Sequence, residues 1–130
     1  MVNVSDLEKI CQEITKLDPK MRSARIINNR GHLVAGGMKE GLHSLEDSKQ
    51  DEMLFMELAL RVRMRHDFDK EFGQVHFSMS YRDKVIIMSF PLANDDVLLV
   101  SGEHGIDFKE IPFKILELVK NLRSPLTKTF

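Results

Sequence analysis

One cysteine, no tryptophan and one tyrosine occur among 130 residues, and neither sign of charge prevails: 19 Lys and Arg oppose 20 Asp and Glu, for a net charge of −1. The lone Cys11 has no partner for an internal disulfide, and its amphipathic surroundings give it a packing role suited to a reducing compartment. Without a charge excess there is no global field to gather nucleic acid or an anionic membrane. No stretch approaches the roughly 18 apolar residues of a membrane span. The start, MVNVSDLEKI, is polar and amphipathic rather than leader-like, so a cytoplasmic location is expected.

The usual signatures of chemistry are also missing. His32, His43, His66, His76 and His104 include no pair at i, i+4 spacing and have no nearby cysteine, so no metal-site spacing is present. Gly36, Gly37 and Gly41 lack the spacing and the following Lys-Ser/Thr of a phosphate-binding loop. Ser78, Ser80 and Ser89 have no G-x-S-x-G context. No catalytic residue, cofactor or metal is therefore expected.

What is present is an ordinary globular composition, 42% hydrophobic and 30% charged, in a chain near the usual size of one domain. One domain over 1–130 is expected, with its core at about 5–122 and a loose tail at 123–130. Ser5 and Glu8 form an S-x-x-E capping box for a first helix over 5–17, which Asp18 and Pro19 end. Extended segments at 21–28 and 32–37, joined by Asn29, Arg30 and Gly31, read as a hairpin. A charged, glycine-bearing loop over 36–48 leads to a second helix over 49–67, with Glu71, Phe72 and Gly73 as its stop. Three strands follow, at 75–80, 85–90 and 97–100. The first alternates apolar and polar residues like an edge strand, and the second is apolar almost throughout. A last helix over 107–122 tolerates Pro112 because it lies near the first turn.

Within the second helix, nine of the twelve residues of MLFMELALRVRM, 53–64, are apolar. At about 100° per residue, Phe55, Leu58, Ala59 and Val62 form one flank and Met53, Met56, Leu60 and Met64 a second, together spanning roughly 240°. One small sheet covers about one flank, so the second is expected to meet a partner. Glu57, Arg61 and Arg65 occupy the remaining arc at i, i+4 spacing, while Arg63 interrupts the apolar side. Three of the eight methionines lie on the second flank, where their flexible thioethers suit an adaptable surface.

Short connections make the sheet antiparallel in an α/β (α+β) order of helix, two strands, helix, three strands, helix. With the hairpin SARIINNRGHLVAGG and the long apolar helix, this order resembles the roadblock and dynein-light-chain type domain, a relative of longin and profilin-like folds. The stretches GHLVAGGMKEG and DEMLFMELALRVRMR are similar to small archaeal proteins of roadblock type. The resemblance implies a five-stranded sheet with one long helix on one face and the terminal helices on the other. It also implies a homodimer joined through second helices and edge strands, serving as a platform for a small Ras-like GTPase. The expected dimer surface comprises Met53, Met56, Leu60, Arg63, Met64, Val75 and Phe77. Arg61, Arg65, His66, Arg82 and Lys84 are the candidates for docking an acidic partner surface. The loop over 36–48 departs from the family in length and charge. The alternative is a profilin-like or PAS-like sensor, with a small molecule held between the sheet and that loop.

Overall fold

A computed structural model describes residues 3–123, and the tail expected to be loose lies outside them from Ser124 onward. The chain runs α1 (Val4–Thr15), β1 (Met21–Ile27), β2 (Leu33–Met38), α2 (Ser48–Arg65), a 3-10 turn (His66–Phe68), α3 (Asp69–Phe72), β3 (Ser78–Tyr81), β4 (Ile86–Pro91), β5 (Val97–Gly102), α4 (Ile111–Leu118) and α5 (Lys120–Arg123). The five strands form one antiparallel sheet in the order β2-β1-β5-β4-β3, which is the expected fold class. No helix among the described residues is long and apolar enough to cross a membrane.

Several boundaries differ from the sequence reading. The cap of α1 is Asn3 rather than Ser5: its side chain accepts from the Asp6 N–H at 2.9 Å, and Asp6 accepts in return from Asn3. An N-x-x-D box lies just upstream of S-x-x-E and satisfies the same orphan donors. Glu8 is thereby free to accept from the Gly36 N–H of β2 at 3.0 Å. Gly36 and Gly37 belong to β2, which leaves a loop over 39–47. Gly36 has φ +87°, and a Cβ there would stand 2.1 Å from the Ala24 carbonyl oxygen, so only glycine fits this close crossing. The last helix starts at Ile111 and breaks at Val119. Phe108 consequently precedes it and meets Tyr81 edge-on, with ring centroids 6.1 Å apart.

Alternation along the strands divides the core in two. Ala24, Val100, Met88 and Met79 form one row across the sheet, and their face is covered by α1 and α4 through Cys11, Ile14, Ile111 and Ile115. The opposite face presents Ile27, Val97, Leu99 and Ile87, and α2 lays Phe55, Leu58 and Val62 on them. Toward β3 this face turns polar, with Ser89, Ser78 and Ser80 in register alongside Leu99 and Ile87. A single helix therefore covers the β1–β5 half and leaves the β3 side open. The two outer strands also differ: Glu8 bonds the β2 backbone, whereas β3 pairs with β4 alone.

Candidate interaction surface

Helix α2 starts from a reciprocal capping box, with Asp47 accepting from the Gln50 N–H at 2.8 Å and Gln50 accepting from the Asp47 N–H. Its sheet-facing flank is the predicted one: Phe55, Leu58, Ala59 and Val62 are all buried. Met53, Met56, Leu60 and Met64, on the opposite side, are between 46% and 70% exposed. The apolar row continues past the predicted end of the helix. Beyond Arg65 the chain passes through the 3-10 turn and leaves helical angles at Phe68 (φ −108°, ψ 3°) before α3, so Phe68 and Phe72 keep the i+4 spacing of Met56, Leu60 and Met64 in sequence but stand past the end of α2. Gly73, at φ +82°, ends it. The sequence reading missed both phenylalanines because it took Phe72 with Gly73 as a stop; the unbroken 56-60-64-68-72 spacing is the signal that finds them.

The expected edge strand begins later than Val75. Val75 and Phe77 precede β3, and Phe77 turns into its own core, stacked on Phe90 and edge-on to Phe113 with both centroid distances 5.7 Å. Alternation alone does not separate a strand from a segment anchored by aromatic packing. The edge available for pairing is Ser78–Tyr81.

The basic residues expected to act together lie at two ends of β3. Arg61 pairs with Glu57 at 3.7 Å. Arg65 donates to the Ser78 hydroxyl at 2.7 Å, and burial followed by the nearby Arg61 charge lowers its pKa. His66 bridges Asp69 and Asp95, each at 2.7 Å, and these hydrogen bonds raise its pKa. Arg82 and Lys84 belong instead to the β3–β4 turn. Arg63 is exposed on α2.

Arg82 and Lys84 rim an open cleft of about 1070 Å³ between that turn and the start of α2, with Leu45, Met53 and Ile87 among its walls. Arg25 forms part of its floor, pairing with Asp51 at 3.2 Å and Glu46 at 3.3 Å and stacking on Phe55 at 5.1 Å. Burial and the hydrogen bond with Glu46 push Asp51 up to about 6 against the pull of Arg25. Arg25 thus ties the loop to the helix, an anchor the sequence did not reveal because its members lie 21 and 26 positions apart.

A model for a family of unknown function, DUF6659, matches residues 1–126. The chain belongs to that family. None of the curated proteins matches it. Among solved structures, the Roadblock/LC7 domain from Streptomyces avermitilis shares 15% identity at TM-score 0.68, covering 89% of this chain and 93% of that one. Myxococcus xanthus MglB shares 13% at TM-score 0.71, covering 92% and 93%. An MglB described in a tetrameric arrangement shares 9% at TM-score 0.75, covering 92% and 87%. At these identities the likeness is one of fold, and the fold is of roadblock type.

In this DUF6659 chain no group of three or more His, Cys, Asp or Glu among the described residues is placed to hold a metal. Burial, and then the Glu8 charge, push the Cys11 thiol up to about 12. At neutral pH the thiol keeps its proton, as a packing residue does and a nucleophile does not.

Proposed function

We propose that this chain is a non-enzymatic, homodimeric scaffold of roadblock type that binds a protein partner of the small Ras-like GTPase class in a reducing, cytoplasmic setting. The observation that carries the dimer is the pair of opposed apolar flanks on α2, one buried by its own sheet and one open. A second copy laid along Met53, Met56, Leu60 and Met64 removes this surface from water, at roughly 25 cal/mol per Å² before the costs of association. The unpaired edge of β3 lets two sheets join, bringing the contact toward the roughly 1,600 Å² of a standard interface. The tetrameric arrangement named for one MglB structure supports self-association of this fold, and the family resemblance supports the GTPase.

The test is the mass in solution of two double variants. Met56→Asp with Leu60→Asp gives a folded monomer, whereas Leu58→Asp with Val62→Asp unfolds the chain. A wild-type monomer removes the dimer. Absence of binding to any Ras-like GTPase of the source genome, in either nucleotide state, removes the GTPase.

The cleft beside Arg25 favours a second reading, the small-molecule sensor. A thermal-shift screen with nucleotides and metabolites checks it: a rise in Tm that persists in the monomeric double variant supports a ligand site there.

A further inference from the structure

The apolar series runs past the end of α2 into a segment that leaves helical angles at Phe68, so its last two members do not share the line of the helix that carries the self-contact. Taking Leu60 as the centre of the self-contact, α2 itself ends at Arg65, and Phe68 and Phe72 stand beyond it on the 3-10 turn and α3. Packing of i+4 ridges crosses helices at about 50°, so paired helices diverge on either side of the crossing. Phe68 and Phe72, 58% and 83% exposed, stack on each other with centroids 6.2 Å apart. Such a pair at the end of the row is a platform without a cover from the seam.

Its surroundings specify the chemistry of the occupant. Asp67, Asp69 and Glu71 lie on the same short segment, and His66 brings in Asp95 from the turn before β5, with Asp96 adjacent. Lys70 and the imidazolium of His66 are the cations of this segment, and Arg30 lies on the neighbouring β1–β2 turn, which bonds Asp96 through the Asn29 N–H. The His66 imidazole is spent on Asp69 and Asp95, while Asp67 and Glu71 form no ion pair among the described residues. Asp67 and Glu71 are thus the uncommitted carboxylates of a segment that also carries the two stacked rings, with Asp69 and Asp95 engaged by His66 and Asp96 by the Asn29 N–H. A planar guanidinium meets both demands: it lies flat on a phenyl face and directs its N–H fork at a carboxylate.

We propose that the Phe68–Phe72 pair with its carboxylate rim is the docking surface for an arginine-bearing segment of a partner protein. This rests on the scaffold reading and deepens it by separating the surface for the partner from the surface for the second copy.

The experiment is an NMR titration of the isotope-labelled full chain with a short amidated peptide of Arg, Leu and Ala, and with analogues carrying Lys or Glu for Arg. Shift changes confined to 66–72 and 95–96, weaker with Lys, absent with Glu, and roughly tenfold weaker in the variant Phe68→Ser with Phe72→Ser, support the proposal. Equal binding by that variant, or shifts spread along 53–64, overturns it. The variant's mass is measured in parallel. A monomeric variant places the rings in the self-contact and also overturns the proposal, whereas a wild-type dimer that ignores the Arg peptide overturns it and leaves the scaffold standing. A monomeric wild type that binds the peptide at 66–72 removes the dimer and leaves the docking surface.

Discussion

His66 joins three parts of the chain with one ring: it ends α2, it bonds Asp69 of α3, and it reaches Asp95, which stands at φ +62° in the turn before β5. The charged imidazolium donates to both carboxylates, so the folded state holds its proton above the ordinary value of 6.5. This clamp is fully present below pH 6.5 and is lost as pH rises through the raised folded pKa. Tm of the native protein should therefore decline across that window, and His66→Gln should flatten the decline when melting is followed by circular dichroism. Gly36→Ala tests a steric constraint instead. The new Cβ meets the Ala24 carbonyl and the Cys11 sulfur at a positive φ, and urea unfolding should show a loss of about 3 kcal/mol or more. The sequence excluded Gly36 from a phosphate-binding loop, but the identity of the atoms opposing it depends on how α1 crosses β2, which local sequence does not encode.

At the scale of the element, α2 was legible because 3.6-residue periodicity assigns each side chain to a face without knowledge of the rest of the fold. Phe55, Leu58, Ala59 and Val62 are buried and Met53, Met56, Leu60 and Met64 are not, so the wheel separated core from surface. Alanine scanning should reproduce that division. Leu58→Ala should cost about 2–4 kcal/mol in urea unfolding, by lost burial and a residual cavity. Leu60→Ala should leave the stability of the monomer within about 0.5 kcal/mol while weakening self-association in sedimentation. Boundaries were less legible wherever tertiary contacts set them. Val75 and Phe77 continue a strand-like alternation, yet Phe77 is held by Phe90 and Phe113 from distant elements. The Arg25 anchor with Glu46 and Asp51 was invisible for the same reason.

For the molecule as a whole, the sheet is asymmetric in a way that bears on assembly. Its β2 margin is held by Glu8 of α1, whereas its β3 margin ends in the short strand Ser78–Tyr81 beside the polar, uncovered part of the α2 face. Joining β3 to β3 of a second copy would bring the two α2 helices onto the same side of a ten-stranded sheet, so strand pairing and helix packing would reinforce each other. Binding that exists only between folded chains raises stability with concentration, and Tm of the native protein should therefore rise as protein concentration increases. Met79 is the side chain with which to interrupt this, because it lies in β3 opposite Met88 and is 42% exposed. Met79→Lys places a charge on the edge, the device by which natural sheets resist edge-to-edge pairing, while removing little buried surface. The variant should remain folded, lose the concentration dependence of Tm, and elute as a monomer or as a weakened dimer held by α2 alone. A fully retained dimer with unchanged concentration dependence would show that the helices suffice and that the β3 edge takes no part in assembly.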